Sequence, residues 1–257
     1  MSAPNDRDEA ILEHIRRYHL STNEVLHRKF FSGANDAAVR RVVSRLVRER
    51  KLRSLELFDN RKYHVLTPRE AEARGEHRCI GRGFNYQGFV NAYAVLCFCH
   101  THGVEIFTAK EFEATFPDLL VRGVRSRNYY LERGEGQNRL GFILVDYGTN
   151  PEKIARKVTR IIARGFALEA FTQLIQGGRF VVAVLTPTEQ KQWLVRTAVE
   201  ADPPEFVKIR LEVVPELQDI LVNRSKLGPG LRGRDSGTAA TPPEGPADAC
   251  PDGQEGT

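Results

Sequence analysis

Residues 36–66 read DAAVRRVVSRLVRERKLRSLELFDNRKYHVL. Val39, Val42, Val43 and Leu46 recur at helical spacing, which predicts a helix from about 36 to 51 with one apolar stripe. Arg41, Arg45 and Arg48 fall at i, i+4 and i+7 on the opposite side, with Arg40 and Ser44 beside them. Two runs with strand character follow, about 52–57 and 62–66. They flank Asp59-Asn60, residue types that tolerate the backbone of a tight hairpin turn.

Upstream, Ile11, Leu12, Ile15 and Tyr18 predict a helix over about 7–19. Ser21 and Glu24 have the spacing of a capping box, which would start a short second helix carrying Val25, Leu26 and Phe30. The segment FSGAND supplies a turn, with Asn35 or Asp36 as the next cap. Pro68 can open a fourth short helix that ends at Gly75. Three helices followed by a basic hairpin is the order of a winged helix-turn-helix, placed here at residues 7–75. In that arrangement the third helix enters the major groove. Arg40, Arg41, Ser44, Arg45 and Arg48 are then the expected DNA-contacting residues. Arg61 and Lys62, near the hairpin tip, are expected to lie on a phosphate or to enter the minor groove.

Residues 84–222 alternate helices and strands, the pattern of an α/β layer arrangement. Helices are expected over about 86–100, 109–115 and 151–164, with another capped by Thr186 or Thr188. Strands are expected near 104–107, 128–132, 140–146, 180–185 and 206–214. In the last of these Val207, Ile209, Leu211 and Val213 share one face. Pro117-Asp118 and Asp146 each fall beside an apolar run, and Lys153 and Lys157 follow Asp146. This order resembles the restriction-endonuclease-like fold, in which acids at strand ends and a lysine bind Mg²⁺ and activate water. Leu144 and Gly148 occupy the places of a further acid and the lysine. Without those two groups Asp118 and Asp146 read as turn or cap residues, and no catalytic set is favoured. Asp118, Asp146 and Lys157 are the vestigial candidates.

The wider layout joins the winged helix, Tyr63 with Leu66-Thr67, Pro117-Asp118, the run Val145-Asp146-Tyr147-Gly148-Thr149 and FVVAVLT at 180–186. It resembles the replication-relaxation family over about residues 7–200. The resemblance implies an α+β chain with a degenerate nuclease-like second domain, carried by a bacterial plasmid or an integrative or conjugative element. It also implies a role in replication or mobilisation of that DNA, or in its regulation, with a relaxase or replication protein as partner, or a second copy of the chain. Two other readings fit the same residues. One is a metal-dependent endonuclease using Mg²⁺, and the other is a transcriptional repressor whose second domain dimerises or senses a ligand.

Composition sets the remaining bounds. The 257 residues carry 38 Lys and Arg against 33 Asp and Glu, a net charge of +5, so the basic character matters only where it is concentrated. Residues 35–63 hold nine of the cations and four of the acids. The four cysteines, Cys79, Cys97, Cys99 and Cys250, have no disulfide-framework spacing. Cys97, Cys99, His100 and His102 would spread around a helix rather than converge on a metal. Gly81-Arg82-Gly83 is too short for a phosphate loop. No signal-peptide core or membrane-length apolar run is present, and a cytoplasmic protein is expected. Residues 225–257, rich in Gly, Pro, Ser and Ala, are expected to be disordered.

Overall fold

A computed structural model of the chain describes residues 6–76, 84–120, 127–133 and 137–227. Cys79, Gly81 to Gly83, Cys250, the leader up to residue 5 and the tail from 228 onward lie outside the described residues. Within them the chain is mixed α+β, with ten α-helices and two sheets.

The N-terminal elements are α1 (Asp6–Tyr18), β1 (Ser21–Thr22), α2 (Asn23–Phe30), α3 (Asp36–Arg48), β2 (Leu52–Glu56), β3 (Lys62–Leu66) and α4 (Pro68–Ala73). Their strands form an antiparallel sheet in the order β1-β3-β2. The capping box expected at Ser21 is not formed. Ser21 pairs with His64 across the sheet and its hydroxyl lies 3.2 Å from His14 Nε2, so Thr22 caps α2 instead. Asn35 caps α3 as its residue type favours. That helix stops at Arg48, short of the expected 51. Arg50 adopts a left-handed φ of 58°, while Lys51 N–H donates to the Leu46 carbonyl and Arg50 N–H to Val47. These two bonds close the helix by satisfying its last carbonyls. Asp59 and Asn60 both have positive φ, as a tight hairpin turn requires. Arg61 bonds back to both Phe58 and Leu57, so two residues oppose one and both Leu57 and Phe58 turn inward.

The second set comprises α5 (Tyr86–His102), α6 (Ala109–Thr115), β4 (Tyr129–Glu132), β5 (Arg139–Val145), α7 (Pro151–Gly165), α8 (Glu169–Gln176), β6 (Phe180–Thr186), α9 (Glu189–Glu200), β7 (Lys208–Val213) and α10 (Pro215–Val222). The sheet runs β4-β5-β6-β7, with β4 antiparallel to β5 and the other pairs parallel. Every residue of β6 is buried, which is why its sequence, FVVAVLT, shows no alternation. The strand expected at 104–107 reduces to a single bridge between Ile106 and Tyr130. No helix among the described residues is long and apolar enough to cross a membrane.

Three hydrophobic clusters lie in succession. The first joins α1, α2, α3, β2 and α4 through Ile11, Leu26, Val39, Leu46, Leu52 and Ala71. The second surrounds α5. One side of α5 meets Tyr18, Phe58, Tyr63 and Val65 of the N-terminal elements, and another meets Ile143, Val181 and Ala183 of the four-stranded sheet. Tyr63 packs on Phe89 with ring centroids 4.8 Å apart. The third fills the opposite face of that sheet, under α7, α8 and α9. Burial on nearly all sides accounts for the apolar run AYAVLCFC in α5. Ion pairs reinforce the join: Arg17 to Glu111 at 2.7 Å, and Lys29 to Glu105 at 2.8 Å.

Candidate nucleic-acid interface

Helix α3 buries Val39, Val43 and Leu46 and turns Arg40, Arg41, Ser44 and Arg48 to solvent. Among the described residues Arg40, Arg41 and Arg48 make no ion pair, so three guanidiniums stand free on one face. Asp36, in the first turn, is the helix's one acid. Helix α2 packs against α3 and adds the exposed Arg28, which the sequence reading did not single out.

Two expected contacts are placed elsewhere. Arg45 is engaged within the fold: its Nη2 donates to both carboxylate oxygens of Asp8, at 2.6 and 2.5 Å. Asp8 is buried in α1, and the Arg45 side chain is 40% exposed. The helical step from Arg41 to Arg45 carries the side chain toward the start of α1, where this carboxylate sits. Arg61 also faces inward. It reaches the Tyr93 hydroxyl at 3.3 Å and Asp219 at 3.7 Å, and lies over the Phe58 ring. The hairpin tip thus packs on α5, leaving Lys62 as the exposed cation of the Arg61-Lys62 pair.

A substitution separates the two roles. Arg45→Ala should lower stability by about 1–2 kcal/mol, because Asp8 loses its partner at a partly exposed site. It should reduce duplex affinity less than Arg41→Ala. Urea unfolding and fluorescence anisotropy measure the two. Unchanged stability combined with a large loss of binding would return Arg45 to the set of expected contacts.

The vestigial candidates do not converge. Asp118 lies exposed in a 3-10 turn after α6. Asp146 is fully buried at the end of β5. Its Oδ1 accepts from Gly148 N–H at 3.0 Å, Thr149 N–H at 2.9 Å and the Thr149 hydroxyl at 3.2 Å. Gly148 has φ +81°, so the place where the nuclease pattern has lysine needs a left-handed backbone that glycine adopts without strain. Lys157 is turned onto the Tyr147 ring. The lysine nearest the carboxylate is Lys191 of α9, 3.8 Å from Asp146 Oδ2 and hydrogen-bonded to the Thr149 carbonyl. Asp146 and Lys191 therefore brace the β5–α7 loop against α9.

The cysteine–histidine group also disperses. Cys97 and Cys99 are buried free thiols, both pushed up by burial, Cys99 to about 12. Thiols held protonated are poor metal ligands and poor nucleophiles. His102 turns to Arg210 and Glu212. Among the described residues no group of three or more His, Cys, Asp or Glu is placed to hold a metal ion.

The chain matches no protein-family model and no curated protein.

Proposed function

We propose that residues 7–75 are a winged helix-turn-helix that binds double-stranded DNA through α3. The observation that carries the reading is the free, exposed set Arg40, Arg41 and Arg48 on the helix before the hairpin. The order β1-β3-β2, with α3 leading into the β2–β3 hairpin, supports it. Guanidinium pairs with phosphate oxygens or a guanine edge by two parallel bonds, and Ser44 can bond either. The hairpin tip is committed to α5, so the wing contributes Lys62 alone and α3 carries most of the contact. The resemblance to the replication-relaxation family gives this binding a setting in the replication or mobilisation of a bacterial plasmid or integrative element, with a nuclease-like module (residues 84–222) as scaffold. The internal use of Asp146 and the separation of Asp118 and Lys157 favour a protein that holds DNA over one that cuts it.

The test is the triple variant Arg40→Gln/Arg41→Gln/Arg48→Gln. Loss of three phosphate contacts should weaken duplex binding by about 100-fold near 0.15 M salt and flatten the log–log salt slope by roughly three units. Anisotropy titrations at several salt concentrations read both quantities. Wild-type affinity and slope in the triple variant would remove α3 from the DNA face.

A further inference from the structure

Helix α7 bears a second cationic face. Residues 151–165, PEKIARKVTRIIARG, hold five cations and one carboxylate. Lys153, Arg156, Arg160 and Arg164 follow at steps of three, four and four residues, so they line one side of the helix over about 16 Å. All four are exposed, and among the described residues none makes an ion pair; Arg156 Nε only reaches back to the Glu152 carbonyl. The opposite side, Ile154, Val158 and Ile162, is buried against the sheet.

From this we infer that α7 is a separate DNA-backbone contact and that one chain can hold two duplex segments at once. Four unpaired cations in a row repel one another weakly through water, and a phosphate backbone laid along them relieves that repulsion while releasing its own counterions. An anionic bilayer fits less well. A helix that binds membranes in its plane inserts an apolar face, and the apolar face of α7 is already packed on β5 and β6. An acidic protein partner would want an apolar anchor among the charges; between the cations stand Thr159 and Ala163, while the exposed Phe166 and Trp193 lie past the helix end and on α9.

The layering then decides the geometry. Between α3 and α7 lie, in order, the N-terminal core, the core around α5, the four-stranded sheet and the core beneath α7. The two helices therefore belong to different cores with intervening layers between them, and we take the occupant of α7 to be a duplex segment other than the one on α3. That makes it a second segment, and only the word second rests on the reading of α3 above.

The test uses the full chain with one biotinylated duplex on beads and one fluorescent duplex in solution. Wild type should bring the labelled duplex to the beads. Lys153→Gln/Arg156→Gln/Arg160→Gln/Arg164→Gln should lower that capture by about ten-fold or more, while changing affinity for a single duplex much less than the α3 variant does. The chain's one tryptophan, Trp193, is 62% exposed on α9, which packs beside α7. Saturating duplex should shield it from iodide in wild type and not in the α7 variant. The pair Arg156→Gln/Arg160→Gln serves if the quadruple variant folds poorly. Undiminished capture in the α7 variants, an unshielded Trp193, or binding to phosphatidylserine vesicles without duplex capture would each overturn the inference. If the α3 variant binds normally and the α7 variant does not bind at all, the proposed function falls and the α7 site stands.

Discussion

Lowering the pH from 6.5 to about 4.5 should cost this fold on the order of 5 kcal/mol, comparable with the whole stability of a typical domain. The cause is a pair of buried neutral histidines. His14 lies against Ser21, and burial, reinforced by Lys29, His100 and Arg17, holds it down to about 3. His64 sits between the Ser54 hydroxyl and the Asn23 side-chain oxygen, both at 2.9 Å, and burial holds it down to about 4 despite Glu24. At pH 7 both states leave these rings neutral and neither contributes. Below 6.5 the unfolded chain takes up protons that the native state refuses, so stability falls by roughly 1.4 kcal/mol per pH unit for each group. His19, depressed to about 4 by burial, acts in the same direction. The lowered carboxylates Glu13, Glu105 and Glu111 lose their stabilising ionisation only below their ordinary value of 4.5, outside this window. Urea midpoints measured at half-unit steps should slide downward through it. His14→Gln/His64→Gln should be less stable at pH 7 but clearly flatter. An equally steep double variant would move the acid sensitivity to other groups.

What the sequence made legible was local. The α3 stripe, the Asp59-Asn60 turn, a cap at Thr186 or Thr188 (it is Thr188) and the buried run of β6 each depend on neighbours within a few residues, where periodicity and turn chemistry act. The side-chain partners were not legible, because they come from far along the chain. Arg45 reads as one more cation on a basic face until Asp8, in another helix, takes it up. Arg61 is drawn off by Tyr93 and Asp219 in the same way. Two-residue β1 is too short to carry an alternating pattern, and its pairing moved the α2 cap from Ser21 to Thr22. The basic side of α7 was present in the sequence. Its weight appears only once the helix is seen to bury Ile154, Val158 and Ile162, which forces the cations outward together. Lys191 was missed for the opposite reason, since nothing local to α9 points at a loop after β5.

Replacing Asp146 should show whether that loop is a brace or a remnant of chemistry. Asp146→Ala removes an acceptor shared by two backbone amides and a hydroxyl, and leaves the Lys191 ammonium, itself largely buried, without its carboxylate. Orphaned donors and an uncompensated charge together should cost about 3–5 kcal/mol. Asp146→Asn keeps an oxygen for the Gly148 and Thr149 amides and should lose appreciably less. Lys191→Met should also cost less than Asp146→Ala: it strips the buried Asp146 carboxylate of its cation and the Thr149 carbonyl of a donor, but leaves in place the three bonds that Asp146 Oδ1 accepts. A structural brace predicts that ordering in urea unfolding, with duplex affinity unchanged in whichever variants remain folded. It also predicts that supercoiled and linear DNA stay intact in Mg²⁺ or Mn²⁺ with wild type and variants alike. A catalytic carboxylate predicts otherwise: Asp146→Asn would fold with little penalty and abolish a nicking activity that wild type displays. That result would make Asp146 the centre of a nuclease site and Lys191 the lysine that position 148 cannot supply.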